Sequence, residues 1–258
     1  MSFRPTPPLI LLVLALCACR GEDDKKQDKA VPGTPRSEYR NLPGPARAKA
    51  AAAQVRPELE SALTAKGLHF GDPVFIRAFK EEKELELWVR RRDSGKYEHF
   101  RTWDVFAMPG KLGPKQAEGD GQVPEGFYFV PPRAMKPDSD YHLAFNIGYP
   151  NSYDQAKGWT GSFIMIHGDQ ISIGCLAMSD EKIEEIYTLC DAAHQGGQEF
   201  FRVHLYPFRM TAERMAKAET DGSPWLDFWK NLKEGYDFFE REKTPPEVAV
   251  ENGLYRLK

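Results

Sequence analysis

Between residues 74 and 106 an apolar run, a segment alternating at a period of two and a partly alternating one are separated by polar turns, a pattern that dictates sheet. Val74-Phe75-Ile76-Arg77-Ala78-Phe79 reads as a strand, Lys80–Lys83 as a polar turn and Leu85-Glu86-Leu87-Trp88-Val89 as the next strand. Asp93-Ser94-Gly95 then turns the chain into Tyr97–Phe106, giving an antiparallel meander. Residues 107–126 are rich in Gly and Pro and predict a long irregular loop, a feature that in a compact domain belongs to function. Phe127–Val130, Tyr141–Ile147, Ser162–Ile166 and Phe200–Phe208 are further strands. Residues 46–66 read as helix, interrupted or restarted at Pro57. Ser179 is the expected N-cap of a second helix carrying Ile183, Ile186, Tyr187 and Cys190, stopped at Gly196-Gly197. Trp225 to Phe239 forms an amphipathic tail, and Asn252-Gly253 joins Val248–Val250 to Leu254–Leu257 as a type I′ hairpin. The expected class is a β-rich α+β domain with flanking helices over residues 46–258, its core at about 70–210.

Ahead of this body stand two segments of different character. Arg4 followed by Leu9–Leu16 is a charged n-region and an apolar h-region, too short for a membrane-spanning helix of about 20 residues. Leu16-Cys17-Ala18-Cys19 resembles the bacterial lipobox. That resemblance implies a lipoprotein signal over 1–18 and acyl chains on Cys19; the plain alternative is a secretory signal cut after Ala18. Residues 19–45 are charged and Pro-rich with few apolar side chains, so they are expected to form a flexible tether reaching on the order of 25–30 Å. Arg20 after the cysteine suggests the outer membrane, with secretion to the periplasm as the alternative. With 35 basic against 38 acidic residues, the chain lacks the positive field of a nucleic-acid binder.

Chemistry concentrates in His167-Gly168-Asp169-Gln170-Ile171-Ser172-Ile173-Gly174-Cys175. His167 leaves an apolar strand at its end, and Cys175 follows a glycine shortly before a predicted helix start. Helix amides and a nearby imidazole favour the thiolate, the nucleophilic form. The N–H groups of Gly174 and Cys175 are candidates for an oxyanion hole. Cys190, on the apolar stripe of a helix, reads as an inert core thiol, and a 175–190 disulfide is the rival pairing. The group orienting the imidazole is either Asp169 or a backbone carbonyl such as that of Gly168. The six histidines never fall at a metal-ligand spacing, and no cofactor is implied.

Ile166-His167-Gly168 with Ser172-Ile173-Gly174-Cys175 resembles the active-site motif of the L,D-transpeptidase (YkuD-type) catalytic domain, and Pro124-Glu125-Gly126 resembles its Thr-Pro-x-Gly entry to the sheet. The resemblance implies His167 as general base and Cys175 as the nucleophile that forms a thioester with a peptidoglycan stem peptide. Two departures stand out: Ile173 replaces the family's second histidine, and Leu176-Ala177-Met178-Ser179 replaces Ile-Arg-Leu/Met-Asn. With Tyr141–Asn151 and Tyr206–Thr211, these departures make residues 70–240 similar to the YafK/DpaA-like subgroup. That likeness implies amide hydrolysis at the diaminopimelate centre, releasing covalently attached lipoprotein or cross-links. Cross-link formation or protein attachment is the alternative, and a non-catalytic peptidoglycan-binding lipoprotein is the alternative of another class. His142, Asn146, Tyr149, Asn151, Ser172 and Arg209 are candidate substrate contacts by the same likeness. Each also has a plain reading: Asn146 and Asn151 as turn residues, Tyr149 as packing, Arg209 as a stem lying over the sheet.

Overall fold

The computed structural model describes Met1 and residues 35–258; the expected signal, with Cys17 and Cys19, lies outside the described residues. From Pro35 onward the stretch expected to be tether is built into the body. A short helix α1 (Arg36–Tyr39) precedes α2 (Gly44–Ala65), which runs through Pro57 without ending. Burial explains the difference: Tyr39, Ala50, Ala51, Leu59 and Leu63 are all sealed in the main core.

The meander forms as expected, with β1 (Val74–Phe79), β2 (Glu84–Arg90) and β3 (Tyr97–Asp104) antiparallel in sequence. All six residues of β1 are buried. Arg77 tolerates this because its guanidinium reaches Glu86 on β2 at 2.8 Å and Glu240 at 2.6 Å. After β4 (Gly126–Val130) come the short strands β5 (Met135–Lys136) and β6 (Ala144–Asn146), helix α3 (Ser152–Ala156), and strands β7 (Met165–His167) and β8 (Leu176–Ala177). Two of these are shorter than the alternation predicts. His142 and Phe163 adopt left-handed backbone (φ 69° and 52°), so pairing starts only after each of them.

Helix α4 (Asp180–Gln195) follows at the expected place, although the Ser179 side chain does not cap it. β9 (Phe201–Tyr206) then inserts parallel to β1 and antiparallel to β4, giving a five-stranded sheet in the order β3-β2-β1-β9-β4. The second sheet, β5-β6-β7-β8, carries the reactive segment. Helix α5 (Ala212–Thr220) has only Met215 and Ala218 buried, and its polar composition hides it from periodicity. Helix α6 (Leu226–Glu242) and the hairpin β10 (Val248–Glu251) and β11 (Leu254–Leu257) complete the chain. Asn252 and Gly253 both have positive φ, as a type I′ turn requires.

The loop 105–125 is fastened at its base. Lys80, buried at the end of β1, donates to the carbonyls of Gly113 (2.6 Å) and Val123 (2.9 Å) and lies 3.1 Å from Glu125. Glu125, fully buried, also accepts from Gly113 N (2.7 Å) and Trp229 Nε1 (2.8 Å). Truncating Lys80 leaves the buried Glu125 carboxylate without its cation and removes the Lys80 donor from two carbonyls. Lys80→Ala is expected to cost about 3–5 kcal/mol, read from the urea midpoint; a loss below about 1 kcal/mol would show that solvent reaches the gap.

Candidate active site

The second sheet sets the site through a parallel pairing. Ile166 on β7 faces Leu176 on β8, and His167 faces Ala177. One residue back, the Met165 amide donates to Cys175 Sγ at 3.4 Å, and the sulfur lies 3.6 Å from the Phe163 carbonyl. Strand alternation sends Ile166 into the core and turns Met165 and His167 the other way. His167 and Cys175 therefore line one cleft of about 340 Å³, together with Lys136, Asp138, Ser139, Asp140, Tyr141, Phe163 and Met165.

The turn between the two residues is fixed by small residues and one hydroxyl. A Cβ on Gly168 would stand 2.8 Å from both Asp180 Oδ1 and the Tyr141 carbonyl, so only glycine fits. Gly174 has φ +149°, a backbone form that side-chain-bearing residues rarely adopt. Ser172 Oγ accepts from Cys175 N (2.8 Å) and Gly174 N (3.3 Å) and donates to the Cys175 carbonyl (2.7 Å). Ser172 thus braces the backbone of Cys175. The two amides expected to form an oxyanion hole are occupied by its hydroxyl.

His167 is 2% exposed, and its Nδ1 lies 2.5 Å from the Gly168 carbonyl. A carbonyl only accepts, so Nδ1 carries the proton and Nε2 keeps the lone pair a base needs. Of the two expected orienting groups, the backbone carbonyl holds the ring. Burial pulls the imidazole below its ordinary range, opposed by the Gly168 bond and the Asp169 charge. Burial pushes the Cys175 thiol above its ordinary range, opposed by the Met165 amide and the Lys115 charge. Burial thus disfavours the charged form of both side chains, a pull against the thiolate that the sequence suggested. Cys190 is sealed in the core and both cysteines are free, so the disulfide alternative falls.

Most of the other candidates serve the scaffold. His142 is buried, with Nε2 2.7 Å from Glu184 Oε1. Tyr149 packs in the core and donates to the Lys115 carbonyl at 3.1 Å. Asn151 is the N-cap of α3 in a capping box. Arg209 pairs with Glu84 and with Glu86 (2.6 Å) and stacks over Phe79, away from the cleft residues. Asn146 accepts from Gly148 N at 2.9 Å, yet it lines a neighbouring groove that shares Lys136 and Phe163 with the Cys175 cleft. The residues missed are those walls. Tyr141 places its ring 4.8 Å from that of His167 and stands next to a residue that was singled out; Phe163 is 68% exposed because its left-handed backbone turns it outward. Lys115 comes from the long loop and gave no local signal.

The two directions make a sign-specific prediction. Alkylation of Cys175 by iodoacetamide should keep rising with pH to beyond about 9, because the thiolate fraction grows until the raised thiol value is passed. A rate flat from about pH 6 upward would instead reveal a preformed thiolate. Turnover should lose its acid limb only below about pH 6.5, where the lowered His167 becomes protonated. Cys190 should stay unlabelled throughout.

The profile of the "L,D-transpeptidase catalytic domain" (YkuD) matches residues 76–220. The provisionally named L,D-transpeptidase YafK of Escherichia coli K12 is 46% identical over 185 residues, covering 72% of this chain and 74% of that protein. Among solved structures, the helical cell shape determining protein Pgp2 of Campylobacter jejuni superposes with a TM-score of 0.43 at 19% identity, covering 75% of this chain and 80% of that one. Bd1075 of Bdellovibrio bacteriovorus gives 0.37 at 21%, covering 70% and 65%. The profile match spans more than half the chain and includes both His167 and Cys175, so the chain belongs to the L,D-transpeptidase catalytic domain family.

Proposed function

We propose that this protein is a cysteine-dependent acyl-transfer enzyme of the cell wall that hydrolyses an amide at the diaminopimelate centre of peptidoglycan stem peptides, releasing attached lipoprotein or cross-links. One observation carries the reading. Cys175 and His167 open into the same cleft, and the backbone bond at Nδ1 leaves Nε2 as the base. In the proposed step Nε2 takes the thiol proton as Sγ adds to the amide carbon. The carbonyl oxygen becomes an oxyanion and displaces the Ser172 hydroxyl from the Gly174 and Cys175 amides. Collapse breaks the C–N bond, the His167 proton leaves with the amine, and a thioester remains. Water then adds to the thioester, His167 again taking the proton, and the carboxylic acid departs as the thiol reforms.

Hydrolysis is favoured over cross-linking by the residues around the nucleophile. Ile173, at the position of the family's second histidine, is 87% exposed, and Ala177, at the position of its arginine, is buried. The turn beside Cys175 therefore lacks the second imidazole and the guanidinium that the family places where substrate is contacted. In this proposal acyl chains on Cys19 and the residues preceding Pro35 keep the enzyme at the outer membrane, facing the periplasm and its substrate.

Purified protein incubated with sacculi bearing covalently bound lipoprotein should free that lipoprotein, detected by the masses of the released peptides. Cys175→Ala should abolish release, and His167→Ala should slow it on the order of 10²–10⁴-fold. Release surviving Cys175→Ala would sink the cysteine mechanism, and new cross-links without release would make the protein a transferase.

A further inference from the structure

Residues 35–47 lie outside the stretch matched by the family profile, yet they touch both walls of the Cys175 cleft. On the His167 side, Arg40 Nη1 donates to Asp180 Oδ2 at 2.6 Å, and Asp180 Oδ1 accepts the Asp169 amide at 2.8 Å. That amide is two residues beyond His167 and one beyond the carbonyl that orients the imidazole. On the opposite wall, Arg47 Nη1 donates to the carbonyls of Ser139 (2.7 Å) and His142 (2.6 Å). These two carbonyls close the ends of a turn whose middle residues, Asp140 and Tyr141, line the cleft. Gly44 packs so closely on the same wall that a Cβ there would meet Asp138 N at 2.6 Å and Pro137 C at 2.8 Å.

The segment is seated firmly enough to hold these positions. Arg36 Nε (2.8 Å) and Nη2 (3.1 Å) and the Tyr39 hydroxyl (3.0 Å) all donate to Glu184, the buried carboxylate that also meets His142 Nε2. Burial would raise that carboxyl, but the His142 and Arg36 bonds outweigh it and hold it below the usual range. Among the described residues no other donor reaches the Ser139 or His142 carbonyl, so the arginine satisfies groups that would otherwise be unpaired.

We infer that the segment 35–47 is a positioning element of the catalytic centre: Arg40 sets the His167 side, and Arg47 with Gly44 sets the substrate-facing wall. The inference rests on the reading of Cys175 and His167 as the reacting pair. Its two arms act on different kinetic constants. Movement of the His167 loop disturbs proton transfer at bound substrate, whereas movement of the 137–142 wall disturbs how substrate is held.

The test is steady-state kinetics of the full chain on a soluble stem-peptide amide, well below the lowest melting midpoint of the set so that the folded fraction is equal. Arg40→Ala should lower kcat on the order of 10-fold with KM within about 2-fold, and Arg40→Lys, which keeps a cation, should recover most of the loss. Arg47→Ala and Gly44→Ala should raise KM by about 5-fold or more, one by removing a charge and the other by adding only a methyl group. Wild-type constants in any of the three, or the same fractional fall in kcat with KM unmoved in all, overturns the inference. Cys175→Ala is run beside them: turnover that survives it overturns the site reading and this inference with it, whereas a dead Cys175→Ala beside unaffected arginine variants overturns the positioning role alone.

Discussion

Everything reactive in this molecule depends on two residue pairs of parallel strand. The Ile166–Leu176 and His167–Ala177 pairs join β7 to β8, and the Met178 amide extends them by donating to the His167 carbonyl at 2.8 Å. A slip of one residue would turn His167 into the core and bring Ile166 to the cleft. The register is held from both sides. Ile166, Leu176 and Met178 are sealed in the core, while Ala177 exchanges backbone bonds with Ala107 of the long loop. The loop 105–125 is therefore structural cover for the reactive turn, tied to the central sheet through Lys80 and Glu125.

The electrostatics of the cleft follow from that burial. Burial disfavours the charged form of both Cys175 and His167, and what opposes it is one backbone dipole each (the Met165 amide at the sulfur, the Gly168 carbonyl at the imidazole) together with the charges of Lys115 and Asp169. Proton transfer then becomes part of the chemical step. This also explains why the orienting group can be a carbonyl: a carboxylate at Nδ1 would stabilise an imidazolium before substrate arrived.

The larger elements were legible because burial enforces their periodicity. β1, β2, β4, β9, α4 and the closing hairpin stand within a residue or two of where apolar spacing puts them. The placement of His167 at the end of an apolar strand was legible too, but its pairing with Cys175 rested on the family resemblance, because a His and a Cys eight residues apart are a weak signal. What stayed hidden was decided by distant contacts. Nothing in the run from Tyr141 to Asn151 reveals that His142 turns inward to Glu184 while its neighbour Tyr141 turns outward to His167, because a left-handed backbone at residue 142 makes the choice. Arg209 reads as a substrate contact until Glu84 and Glu86 are found waiting on β2. The residues from Pro35 to Pro45 look like tether on composition, and only Glu184 and Asp180, far along the chain, give Arg36 and Arg40 their buried partners.

A thiol whose anion is disfavoured by burial is also less open to peroxide, which attacks the anion and spares the thiol. Among the described residues the other thiol, Cys190, is walled into the interior, so a sulfenic acid formed at Cys175 would find no resolving partner there. Burial of the cleft thus lowers the sulfur's reactivity toward oxidants through the same desolvation that raises its pKa.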